Sequence, residues 1–99
     1  MELPVDITPE ALREVKNIME SKNIPAGYGL RIGVRGGGGC SVAAMNYMLG
    51  FDHKKATDKE FSLEGIPVYI EKSHFMYIIG TRVIYVNDNN QTGFVFEKD

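Results

Sequence analysis

Hydrophobic spacing changes its period once along this chain, near residue 25, and that change restricts the fold more than any other feature. Before it, Ala11, Leu12, Val15, Ile18 and Met19 recur at three- and four-residue intervals, while Arg13, Glu14, Lys16, Asn17 and Glu20 fill the other face. That spacing predicts an amphipathic helix of about three to four turns. Thr8 can cap it, Pro9 suits its first position, and Glu10 complements the positive end of the helix dipole. Pro25 and Gly27 predict a stop near Asn23.

Beyond that point the period is two. Leu30 to Arg35 alternates apolar with polar or small residues, as a half-buried strand does. Gly36 to Gly39 breaks it. Met45 to Phe51 reads as a second strand with Met45, Tyr47, Leu49 and Phe51 on one face, followed by a charged turn over Asp52 to Lys59. Phe61 to Glu64 and Pro67 to Ile70 predict two short strands around Gly65. Ser73 to Gly80 is ambiguous: Ser73 can cap a short helical turn and Gly80 can end it. Val83 to Val86 and Gly93 to Phe96 are strands, separated by an Asn- and Asp-rich turn. One helix followed by about six short strands predicts a mainly β (α+β) fold, a compact β-sandwich or barrel-like domain with one N-terminal helix. With 99 residues and neither repeat nor linker, residues 1–99 are expected to form a single domain.

Composition narrows the function. Thirteen acidic against 11 basic residues leave a net charge of −2, no footprint for nucleic acid or an anionic membrane. No stretch approaches the roughly 20 apolar residues of a membrane span, and the acidic opening Met1 to Asp6 does not resemble a signal peptide. The single cysteine, Cys40, excludes an intramolecular disulfide framework and fits a reducing cytoplasm.

Cys40 is also the residue best placed to carry chemistry. A free cysteine commonly behaves as a small buried hydrophobe. Here it follows four glycines, which pack nothing yet permit close approach of a ligand. A thiol between Gly37, Gly38, Gly39 and Ser41 is expected to be exposed, with nearby backbone amides favouring the metal-binding thiolate. The glycines do not form a phosphate loop, since the Gly-x-x-x-x-Gly-Lys-Ser/Thr spacing is absent. His53 and His74 are candidate bases or co-ligands for Cys40, or simply solvated surface histidines; the close spacing typical of zinc sites is missing. Asp52, Asp58, Glu60 and Glu64 read as solvated loop charges without a role.

Taken in order, these segments resemble the A-type iron–sulfur carrier family, the HesB/IscA-like proteins. Leu30-Arg31-Ile32-Gly33-Val34-Arg35 running into Gly38-Gly39-Cys40-Ser41 is similar to the family's strand before Gly-Gly-Cys-Ser, and Tyr47 to Asp52 to its next strand. Gly65 to Ile70, Ser73 to Thr81, Val83 to Val86 and Gly93 to Phe96 resemble its later segments, and Ile7 to Ala11 its usual opening. The resemblance implies a compact β domain with an N-terminal helix. It also implies a non-enzymatic protein, acting as a homodimer or higher oligomer, that binds iron or an iron–sulfur cluster through cysteine thiolates and passes it from donor to acceptor proteins. Cys40 corresponds to the first family cysteine.

Two departures shape that expectation. The family carries a Cys-x-Cys pair after its last strand, where this chain reads Glu97-Lys98-Asp99. The family places Gly after Cys-Ser, where this chain has Val42-Ala43-Ala44, putting Tyr47 two residues later; an insertion of two preserves the in/out parity of the strand. A four-thiolate site needs four cysteines. One thiol per protomer therefore predicts weak, labile or partner-dependent binding, completed by glutathione, by His53 or His74, by a carboxylate or by a partner's thiols. The alternative is an interaction or regulatory module on the family fold that has lost cluster binding. A third reading is a thiol enzyme or redox sensor using Cys40.

Overall fold

The computed structural model describes residues 3–35 and 46–98. Thr8 is extended (φ −66°, ψ 156°) and its hydroxyl accepts the Ala11 N–H, so helix α1 begins at Pro9 and runs to Ser21. Ala11, Leu12 and Val15 are its buried face, and the chain leaves through Asn23 at φ 51°.

Among the described residues there are seven strands: β1 (Asp6–Ile7), β2 (Tyr28–Arg35), β3 (Asn46–His53), β4 (Asp58–Leu63), β5 (Ile66–Glu71), β6 (Thr81–Asn87) and β7 (Thr92–Lys98). They form a four-stranded sheet in the order β3-β2-β5-β4 and a three-stranded sheet in the order β1-β6-β7. Each sheet is mixed. The β2–β5 and β1–β6 pairs are parallel and the others antiparallel. The expected mainly β architecture is present, and the Phe61–Ile70 region turns around Gly65 as anticipated. Glu64 and Gly65 both have positive φ (50° and 85°), the backbone of a two-residue hairpin turn that follows the sheet's twist.

β1 was not legible in the sequence, being two residues long. The ambiguous Ser73–Gly80 stretch is a 3-10 turn, Lys72–His74, leading into one helical turn, α2 (Phe75–Ile78). Its cap is not Ser73. Glu71 accepts hydrogen bonds from the Ser73 N–H and hydroxyl, because a carboxylate at the strand end is the stronger acceptor. Gly80 ends the turn at φ +84°, and the Thr81 hydroxyl donates to the Ile78 carbonyl at 2.7 Å.

One core joins these parts. Leu30, Ile32 and Val34 of β2, Val68 and Ile70 of β5, Phe61 of β4, Val83 of β6, Ile78 of α2 and Val15 of α1 are buried together. Tyr47, Leu49 and Phe51 pack against them from β3, and Tyr47 stacks on Phe96 of β7 at 5.1 Å. By the same alternation, Arg31 and Gly33 of β2 and Met48, Gly50 and Asp52 of β3 stand on the outer face of the four-stranded sheet.

Candidate functional site

Strands β2 and β3 pair from Tyr28↔His53 to Arg35↔Asn46, and residues 36–45 join them beyond that last rung. Cys40 and its supporting residues Gly37, Gly38, Gly39 and Ser41 lie in that connection, outside the described residues. What the structure places is its surroundings.

The two candidate histidines part company. His53 pairs with Tyr28 at the far end of β3, and its side chain is 62% exposed. Seven residues at about 3.3 Å each separate it from Asn46, roughly 23 Å. It is a surface residue, as one reading had it, and in its own protomer it stands far from where residues 36–45 rejoin the sheet. His74 is half-buried against β2. The parallel β2–β5 pairing covers Leu30 to Ile32 and then stops as β5 turns away, which leaves the Val34 N–H without a strand partner. His74 Nδ1 takes that place, accepting the Val34 N–H at 3.4 Å. A Cβ at Gly33 would meet this nitrogen at 3.0 Å, so glycine there leaves room for the imidazole. His74 thus patches a sheet edge with the lone pair of Nδ1, and is not simply solvated.

Beside it lies an open cleft of about 350 Å³ on the outer face of β2 and β3. Its floor is the two side-chain-free positions Gly33 and Gly50, and its walls are Arg31, Met48, Glu71 and His74. The outer end of the cleft is charged, and the carboxylates read from sequence as solvated scatter do more than that. The Asp58 side chain is fully buried. Both its oxygens accept from Arg31, Oδ1 from Nη1 at 2.8 Å and Oδ2 from Nη2, and Oδ2 also accepts the Lys55 N–H at 2.7 Å. Arg31 Nη2 donates as well to the His53 carbonyl, and Arg31 Nε lies 3.2 Å from Asp52 Oδ2. The Arg31 hydrogen bonds hold the Asp58 carboxyl below the usual carboxylate range despite its burial. Asp52 is lowered too, first by the His53 N–H and then by Lys55 and Arg31. Glu71 is lowered by the hydroxyls of Ser73 and Thr57. Every acid of this network is therefore matched to a donor. Among the described residues no group of three His, Cys, Asp or Glu side chains converges as a metal site. Residue spacing could not have shown the network, since Arg31 and Asp58 are 27 positions apart.

Comparison with known proteins agrees with this architecture. The mouse mitochondrial iron–sulfur cluster assembly 1 homolog is 34% identical over 91 residues, spanning 91% of this chain and 67% of that protein. The human homolog is 33% identical over the same shares. In structure, the chain is similar to Escherichia coli SufA, involved in biosynthesis of iron–sulfur clusters, with a TM-score of 0.72, 24% identity, and coverage of 95% of this chain and 79% of that one. It is similar to IscA bearing a [2Fe–2S] cluster (TM-score 0.69, 26% identity, 95% and 81%). It is likewise similar to an Aquifex aeolicus protein solved in solution (0.72, 29%, 100% and 95%). No helix among the described residues is long and apolar enough to cross a membrane. The family of iron–sulphur cluster biosynthesis proteins matches residues 3–99, nearly every position, and the chain belongs to that family of A-type, HesB/IscA-like carriers.

Proposed function

We propose that this chain, acting as a single unit over residues 1–99, carries iron or a transferred iron–sulfur cluster as cargo held by the thiolate of Cys40. The observation that carries the reading is the family match across residues 3–99 combined with the position of the sole cysteine in the β2–β3 connection. Thiolate suits iron because soft sulfur delocalises the charge of the cluster. The described residues of one protomer offer no ready-made set of further ligands. The remaining ligands then come from a second copy, a partner's thiols or glutathione, and the cargo is labile. Donor and acceptor proteins are its partners, oligomers its working form, and transfer rather than catalysis its task. A free thiol with this role belongs in a reducing compartment, and we place it in the cytoplasm.

Anaerobic reconstitution with ferrous iron and sulfide tests this. Thiolate-to-iron charge-transfer absorbance is expected, strengthened by added glutathione and abolished by Cys40→Ser. Absorbance that survives Cys40→Ser, or none with glutathione present, overturns it. The single cysteine also supports a second reading, a family-fold interaction module without cargo, for which Cys40→Ala leaves partner binding unchanged.

A further inference from the structure

Gly29 and Gly33 of β2 and Gly50 of β3 stand inside paired strands, and packing accounts for the first two. A Cβ at Gly29 would lie 2.5 Å from the Pro67 carbonyl oxygen, and one at Gly33 would lie 3.0 Å from His74 Nδ1. Gly50 answers to no such demand. It pairs with Arg31, its φ is not positive, and a Cβ there would meet nothing within 4 Å. Glycine weakens a strand interior, because it loses the most chain entropy and has no side chain to pack. At a position open to any residue, its effect is to leave bare backbone that another molecule can approach closely.

That backbone is the floor of the cleft of about 350 Å³, a volume in the range of small-molecule pockets. Met48 and Asp52 flank Gly50 on the same face of β3, Arg31 stands across on β2, and His74 covers Gly33. Met48 is 43% exposed, and a thioether makes favourable contacts with the edges of aromatic rings. The charges of the lining do not all cancel. Asp52 is matched by Arg31 at 3.2 Å and by Lys55 at 3.3 Å. Glu71 has no lysine or arginine beside it among the described residues. It accepts from uncharged groups, the Ser73 N–H and the Ser73 and Thr57 hydroxyls, which hold it ionised without neutralising it.

We propose that this cleft binds a small planar aromatic cation, its ring lying on Gly50 beside the Met48 thioether and its charged nitrogen turned to the Glu71 carboxylate. Two strand spacings separate β3 from β5, about 10 Å, which one ring with an amidinium and the Glu71 side chain span between them. Gly50 stands four rungs from Arg35↔Asn46, about 13 Å, and the inference does not lean on Cys40.

The test uses full-length Cys40→Ser protein, so that this site and the cargo reading fail separately. Benzamidinium is the probe, benzoate its charge-reversed control, and amide chemical shifts the readout. Saturable shifts at Gly33, Gly50 and Glu71 are expected with benzamidinium, at a dissociation constant on the order of 1 mM for a one-ring ligand, and none with benzoate. Gly50→Val fills the floor and is expected to abolish the shifts with an unchanged circular dichroism spectrum and thermal midpoint. Met48→Ala, which leaves the floor bare, is expected to weaken them. Glu71→Gln, whose amide oxygen still accepts from Ser73, is expected to weaken binding about two- to fivefold, as for an exposed ion pair. No saturable shifts with benzamidinium, benzoate binding equally well, or binding indifferent to Gly50→Val or to Glu71→Gln overturns the proposal.

Discussion

Replacing Asp58 with Asn asks how much of the fold rests on one buried carboxylate. Its side chain is fully buried, and it accepts two hydrogen bonds from Arg31 and one from the Lys55 N–H. Removing one partner of a buried ion pair costs about 3–5 kcal/mol, because the other charge is left uncompensated. Here the compensation is partial. Arg31 is 21% exposed and keeps Asp52 at 3.2 Å, so the expected cost falls to about 2–3 kcal/mol. At about 4–8 °C per kcal/mol for a domain of this size, the midpoint should drop by roughly 10–20 °C. Urea titration and thermal melting at pH 7 measure it, with Glu60→Gln as a control. The half-exposed Lys54–Glu60 pair should contribute under about 1 kcal/mol. The pH profile supplies a second check. The folded Asp58 pKa is depressed, so the unfolded chain binds more protons in the interval between the two pKa values, and stability rises with pH there. The carboxylate's contribution is complete above the unfolded value of about 4 and is lost as pH falls through the lower folded one. The gap between the parent protein and Asp58→Asn should therefore close in acid. A cost below about 1 kcal/mol at pH 7, or a gap that does not narrow as pH falls below about 4, would refute the reasoning.

Two further substitutions probe other contacts of β2. Gly29→Ala places a Cβ 2.5 Å from the Pro67 carbonyl oxygen and 2.9 Å from Tyr69, so β2 and β5 must separate; a loss of about 3 kcal/mol in urea titration is expected, at the upper end of overpacking costs. His74→Ala strips the Val34 N–H of its acceptor. The bond is long and the site only half-buried, so about 1 kcal/mol is expected, together with faster amide exchange at Val34 and no change in iron–sulfur absorbance after reconstitution. Absorbance lost with the imidazole would show that His74 is a ligand rather than a patch on the sheet edge.

What could be read from the sequence was what neighbours in the chain decide. Thr8, Pro9 and the three- and four-residue spacing of Ala11 to Met19 announce α1, and its start matches to the residue. The alternations over Leu30–Arg35 and Met45–Phe51 announce β2 and β3, since a half-buried strand writes its own period. β1 has too few residues to show a period and exists through its pairing with β6, some 75 positions away. The role of Asp58 was hidden for the same reason, since no local pattern marks its partner Arg31. At Glu71 the misreading was chemical: Ser73 has the composition of a cap, but the carboxylate two residues earlier accepts its N–H and displaces it. His74 was singled out, but its bond to the Val34 N–H was hidden because it appears only where β5 leaves β2.

The two ends of the β2–β3 pair differ in what holds them. One end carries Arg31, Asp52 and the start of the loop to Asp58, where long-range hydrogen bonds close the structure. The other end, Arg35↔Asn46, opens into the glycines and Cys40. Beyond that connection, Tyr47, Leu49 and Phe51 face the core. Register here is set by the alternation within β3, because a one-residue slip would turn all three outward and expose their apolar surface. The alternation within β3 therefore suffices to fix its placement on β2, and the pairing from Tyr28↔His53 to Arg35↔Asn46 carries that register to the last described rung.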